Sequence, residues 1–576
     1  MTQPSIEKKP RFKYTALWVI LLICSALALM FGSFYLTVRT SPLYIKAEQA
    51  EMFSHGLGER LQEAGFSLWA QSKDPKFFYR LLLEAGWGRK ADLDSYVLGR
   101  LPVLVAVNFW NTMEEISVEQ LSAIIKGELS SWETLTGHKQ PIYLVCSAEC
   151  KQFLLNTFSP VTPRAKWVTD RGELSDLVVD APGTIAILPW NSVYPQLKVI
   201  GIKTKTGVVH PFWSKDAEQE YPLTAEVRLL PAATTNVFQY VFKRIQKLRL
   251  NRLLQRYFSS EQWLVGKDLS VLAAVGDLLF DRKVMRTAKQ KGDLNYPLLE
   301  TAEIFRQADL AFGNLECPLS SRGKQINMFR GDPAVAEVLA EAGFDVLSLA
   351  NNHIFDCGEV AFLDTIEYVR EKGIVPIGVG ENINEARAPK IVRVNGTRVA
   401  FLAYTQIGPG FTYTRVPQHW AATVELPGVA EARADYIRMD VKRAKAEADL
   451  VIVSFHWGNE YVHYPTEHQK AWGRTAIAAG ADLVIGHHPH VLQGIEFGEQ
   501  GVIAYSLGNF VFDQIAFNRR QSLILQAAFD KHGVHQLRLV PVLITAEQPR
   551  IATGKVKQDI LALISKASKN NCENID

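Results

Sequence analysis

Six stretches in the second half of the chain share one pattern: an apolar run that stops at a polar cluster. They are SVLAAVGDLLF (270–280), ADLAFGNLECPL (308–319), FDVLSLANNHIFD (344–356), ADLVIVSFHWGNEY (449–461), ADLVIGHHPH (481–490) and VIAYSLGNF (502–510). Unbroken apolar runs of this length predict strands covered on both faces. The stretches between them, such as DPAVAEVLAEAG (332–343) and HQKAWGRTAIAAG (468–480), have helical periodicity, and Gly480 closes the second. In an open α/β sheet, ligands bind beyond the carboxyl ends of the strands. Asp277, Asn314, Glu316, Asn352, His353, His456, His488 and His490 are therefore predicted to converge on one edge.

Residues 44–265 alternate helical patterns with short apolar strands. LPVLVAVNF (101–109), PIYLVCS, GTIAILPW and LKVIGI read as strands, and SVEQLSAIIKGELSSWETL (117–135) as a capped helix followed by a turn. TNVFQYVFKRIQKLRLNRLLQRYF is a long amphipathic stretch. The start of the chain differs. Ala16–Val38 is 23 residues without a charge, which as a helix at about 1.5 Å per residue spans the roughly 30 Å hydrocarbon layer. Lys8, Lys9, Arg11 and Lys13 precede it, so the positive-inside rule places residues 1–15 in the cytoplasm and the bulk of the chain outside. Ala26-Leu27-Ala28 has the pattern of a signal cleavage site, but the apolar run continues ten residues past it. An uncleaved single-pass anchor is the expectation.

At 576 residues the length is a prior for two or three domains. A formal net charge of +3, with no basic stripe, gives no reason to expect a nucleic-acid partner. Six cysteines fit an exported protein that does not depend on disulfides. Spacing leaves a Cys146–Cys150 bridge open, and it allows a Cys317–Cys357 bridge while favouring buried thiols there.

One polar strand end is a turn or a cap. Six that together deliver Asp, Glu, Asn and His, ligands suited to Mg²⁺, Mn²⁺, Fe or Zn²⁺, point to a metal-binding edge. The motifs GD (276–277), NLE (314–316), NNH (351–353), HWG (456–458), GHHPH (486–490) and SLGNF (506–510) resemble those of the CapA family of capsule and poly-γ-glutamate synthesis proteins, within the calcineurin-like metallophosphoesterase superfamily. The resemblance runs from about 270 to 545. It implies Asp277, Glu316, Asn352, His456, His488 and His490 as ligands of a divalent metal, with His353 as the imidazole near the leaving group. Glu460 is a candidate base or substrate contact, or else a cap on the following helix, and His487 is expected to be the spare histidine.

Two departures stand out. The superfamily's opening Asp-x-His is here Asp277-Leu278-Leu279, and Glu316 replaces an aspartate. Both fit the CapA pattern and weaken the expectation of ordinary phosphatase activity. The metal side near Asp277 is accordingly expected to lack an imidazole, with His488, His490, His456 and Asn352 on the other side. The first half, in its order of strands and in LSAIIKGELSSW, resembles phosphate-type periplasmic solute-binding proteins, which implies a two-lobed α/β fold. Their anion-binding loops have no match between 44 and 100, so the resemblance carries no ligand.

The expected architecture is α/β throughout. A basic tail (1–15) and an anchor (16–38) lead to a solute-binding-like domain (44–265), a metallophosphoesterase-like domain (268–547) and a C-terminal tail (548–576). The expected function is that of a metal-dependent hydrolase or transferase acting on an anionic envelope polymer, beside synthesis or export machinery in the membrane. The alternative is a non-catalytic accessory factor that grips the polymer through the metal edge.

Overall fold

The computed structural model describes residues 96–231 and 268–572 apart from 409–419, together with strands at 43–46, 66–69 and 79–84 and some positions between 250 and 266. The expected anchor and most of the amphipathic stretch 235–258 lie outside the described residues. Among those described, no helix is long and apolar enough to cross a membrane.

The first half is built on a mixed nine-stranded sheet. Its long strand Tyr96–Asn108 pairs at one end with Thr224–Pro231 and at the other with Thr184–Pro189, both antiparallel. The helix Val118–Lys126 begins with Ser117 and Gln120 capping each other reciprocally. It ends at Gly127, whose φ of 82° is a left-handed conformation that glycine adopts at little steric expense. Cys146, Cys150, Cys317 and Cys357 are all buried and free, and burial pushes the Cys146 thiol up to about 12.

The second half contains two sheets packed face to face, where the pattern had suggested one open sheet. Ser270–Leu278, Leu310–Leu315, Val346–Ser348 and Asn509–Val511 belong to an eight-stranded sheet; Leu450–His456, Leu483–His487 and Val502–Ala504 belong to a six-stranded one. Period-2 alternation sorts the side chains. Leu272 and Ala274 pack with Phe401, Ile452 and Ile485 between the sheets, whereas Ala273 and Val275 face the outer helices. On the other sheet Val451, Val453 and Phe455 face outward toward the helices Ala434–Glu447 and Glu467–Ala479. The result is a helix–sheet–sheet–helix sandwich, and each strand is apolar on both faces because both are covered.

The expected tail is folded. Gln548–Ile551 pairs antiparallel with Gly533–Thr545 and extends the first sheet. Gly554–Cys572 is a helix that buries Ile560, Ile564 and Ala567. Its polar exterior concealed a buried stripe. The two halves also touch closely. Phe109 packs edge-on against Phe497 at 4.9 Å, and the Gln536 side chain accepts from the Val199 N–H (2.9 Å) and donates to the Leu197 carbonyl (2.7 Å).

Candidate metal centre

The six polar strand ends meet where the two sheets come together. Two glycines permit the approach: a Cβ on Gly276 would lie 1.8 Å from the Gly508 carbonyl oxygen, and one on Gly486 would lie 1.9 Å from that of Tyr505. Beyond Gly486 the backbone turns sharply, with φ of 93° at His488 and 58° at His490. Left-handed backbone is unfavourable for residues with a Cβ and is held in place only where surrounding structure enforces it, often at functional sites.

Asp277, at the end of its strand, is fully buried. Its carboxylate accepts from Asn314 Nδ2 (2.9 Å) and from the His488 N–H (3.3 Å). His490 Nδ1 stands 3.4 Å from the same carboxylate. Burial opposes ionisation of Asp277, but its hydrogen bonding with His487 and His490 outweighs it and holds the carboxyl well below the usual range. Glu316 is equally buried, and neither of its carboxylate oxygens has a hydrogen-bond partner. Its Oε1 is 3.8 Å from both His456 Nε2 and His490 Nε2. Burial, reinforced by the charge of Asp277, raises its pKa well above the carboxylate norm.

Two ligand groups share Glu316. Asp277, Glu316 and His490 form one; Glu316, His456 and His488 form the other. His456 Nε2 is also 2.7 Å from Asn352 Oδ1 and 3.1 Å from His488 Nδ1. Leaving a buried carboxylate without a donor costs roughly 1–3 kcal/mol per unmet group, and nothing in the apolar packing explains why the chain tolerates it here. A divalent cation held by these groups would satisfy the orphaned oxygens of Glu316, and the mixed O/N donor set would suit Mn, Mg, Fe or Zn.

The second coordination layer is equally specific. Asn314 links Asp277, His456 and Asn351. Asn509 Oδ1 lies 2.8 Å from His490 Nδ1 and orients that ring. His353 Nδ1 lies 2.9 Å from Asp356 Oδ2, while Asp356 also accepts from the Phe329 N–H. Burial holds His456 well below the ordinary imidazole range and His488 down to about 3, so both rings are neutral and ready to ligate. Burial also works against protonated His490, but the charges of Glu316 and Asp277 prevail and raise it to about 9.

All eight residues expected at the edge are there, but three details differ. His490 is on the Asp277 side, so that side does have an imidazole. Leu279 is fully buried in the apolar cluster that includes Phe280, Val284 and Leu315. His487 is not remote: its Nδ1 is 3.6 Å from Asp277 Oδ1, between the sheets. Glu460 is exposed and does not cap the helix that follows, where Thr466 does so. The Tyr461 N–H bonds to the Pro489 carbonyl (2.7 Å), which folds the loop over the histidines. This puts the Glu460 carboxylate within 4.8 Å of the ligand nitrogens of His488 and His490. Asp356, Asn351 and Asn509 were missed as supporting residues, although all lie inside the quoted motifs.

The two-sheet α/β sandwich thus gathers, where its sheets meet, two groups of candidate ligands that share Glu316. Residues 271–514 match the family model described as "Bacterial capsule synthesis protein PGA_cap". The chain is 33% identical over 300 residues to a capsule biosynthesis protein CapA of Bacillus anthracis, covering 50% of this chain and 71% of that one. It is 34% identical over 303 residues to a PGA biosynthesis protein CapA of Bacillus subtilis, covering 51% and 76%. The chain belongs to the CapA family of bacterial capsule synthesis proteins. Among solved structures, an ABC-type phosphate transport receptor from Vibrio cholerae aligns over 37% of this chain and 98% of its own, at 16% identity and a TM-score of 0.27. That score is too low to bear on the first domain.

Proposed function

We propose that this chain is a membrane-anchored protein of capsule or poly-γ-glutamate biosynthesis, with a metal edge that works on an anionic envelope polymer as a hydrolase or transferase. The observation that carries the reading is Glu316, a buried carboxylate with no hydrogen-bond partner among the described residues that is shared by two groups of candidate ligands. The printed roles of the relatives, capsule and PGA biosynthesis, support the polymer class.

A bound divalent ion supplies Lewis acidity toward an oxygen of the substrate. The chain's own residues do the rest. Asp356 holds Nδ1 of His353, so Nε2 is left free toward the substrate: it would accept a proton on the neutral ring and, once protonated, give that proton to a departing group. Glu460, exposed at the rim, is placed to accept one. Asn314 and Asn509 keep Asp277 and His490 oriented. The apolar segment 16–38 and its basic flank support an outward-facing edge near synthesis or export machinery in the membrane.

The test is polymer chain length. Full-length protein in detergent, incubated with poly-γ-glutamate or capsular polymer and Mn²⁺, should shorten or transfer the chain, and chelator should stop it. Binding without any change in length, under each of the four metals, would replace this reading with that of a gripping accessory factor.

A further inference from the structure

Beside the metal edge lies an open groove of about 880 Å³ whose lining includes Asp281, Arg282, Arg286, Asp513, Gln514 and Arg519. Arg282 pairs with Asp513 and lies over the Phe329 ring at 4.8 Å. Asp281 accepts from the Arg330 N–H at 2.9 Å. Among the described residues, no acidic group pairs with Arg286 or Arg519.

Arg519 is held with unusual care for an unpaired cation. Its guanidinium lies on the Tyr461 ring, 3.5 Å from the centroid, and its Nε is buried without a hydrogen-bond partner. The Tyr461 ring in turn stacks on His490, with centroids 5.9 Å apart. Asn509 joins the same two residues, since its Nδ2 donates to the Arg519 carbonyl (2.9 Å) and its Oδ1 meets His490 Nδ1. One stacked and hydrogen-bonded unit therefore fixes an unneutralised guanidinium relative to a metal ligand. Next to it, Ile515 and Phe517 are 84% and 50% exposed, an apolar lip with no covering element among the described residues.

Resting on the reading that the edge acts on an anionic polymer, we propose that this groove is a second anion subsite. It takes a carboxylate of the chain while a neighbouring repeat occupies the metal edge. Arg519 is the specificity-determining contact, because its planar fork matches a carboxylate bidentately. Arg286 adds a more exposed second charge, and Ile515 and Phe517 cover the aliphatic stems between anionic groups.

Calorimetric titration of full-length, chelator-stripped protein tests this with three probes: hexa-γ-glutamate, free glutamate and inorganic phosphate. The stripped protein should bind the hexamer, and Arg519→Gln should weaken it roughly tenfold or more. Arg286→Gln should weaken it less, and Arg519→Lys should fail to restore full affinity. Free glutamate and phosphate should bind far more weakly than the hexamer. Unchanged metal content and melting temperature in each variant would separate lost contact from lost fold. If the stripped wild type ignores the hexamer, or both Gln variants match the wild type, the subsite is wrong. Should Arg519-dependent binding persist while metal-loaded protein never alters polymer length, the catalytic reading fails and the subsite stands. Phosphate binding as tight as the hexamer would overturn the assignment to a polymer carboxylate.

Discussion

Glu316→Gln should change the sign of its effect on stability when metal is removed. Glu316 has no hydrogen-bond donor on either oxygen among the described residues and sits beside the ionised Asp277. Relieving an unmet buried carboxylate is worth about 1–3 kcal/mol, and the neutral amide also avoids the Asp277 charge. For a domain of this size that corresponds to a melting temperature higher by roughly 2–6 °C. With metal present the order reverses, because an ion at 1,000 times its Kd stabilises the native state by about 4 kcal/mol and the variant has lost the shared ligand.

A pH signature accompanies the effect. The folded Glu316 pKa is raised, so the folded chain holds the extra proton between the unfolded value, about 4.3, and the folded one. Metal-free wild type therefore loses stability as pH rises from that lower value, and the variant lacks this contribution. Thermal melts of both proteins with and without chelator, from pH 4 to 8, read all three outcomes. A stripped variant less stable than stripped wild type, or a chelator response equal in the two, would refute the bridging role.

Because His490 is held up to about 9, its proton must leave before it can ligate; metal uptake at pH 7.5 should release about one proton, and release should fade above pH 9. Calorimetry in two buffers of different ionisation enthalpy measures it, and buffer-independent heats would contradict the protonated ring. Gly486→Ala should destabilise by roughly 1–3 kcal/mol or more, since the new Cβ would meet the Tyr505 carbonyl at 1.9 Å and Trp457 Nε1 at 2.5 Å; an unchanged melting midpoint would be inconsistent with that packing. Asp356→Asn should lower turnover on polymer by about 10–100-fold with KM little changed, because His353 loses the partner that fixes its tautomer. A loss confined to KM would instead assign Asp356 to substrate binding.

Much of the centre could be read from residue order. Apolar runs that stop at Asp277, Glu316, Asn352, His456 and His488 are local facts, and a strand covered on both faces must present its polar residues at its end. The reading failed where it depended on which faces meet. Period-2 alternation says that Ile485 and His487 share a side, but not that this side faces another sheet; only the packing of the two sheets puts His487 under Asp277. The same packing assigned His490 to the Asp277 group and Leu279 to the outer apolar layer. It also folded 548–572 onto the sheet, because Ile560, Ile564 and Ala567 form a stripe too narrow to stand out in a polar sequence. The identity and spacing of the ligands are written in short segments, since each must end a strand. Their division around Glu316, and the stack from His490 through Tyr461 to Arg519, join residues tens of positions apart, and such contacts are decided only when the sheets and loops close on one another.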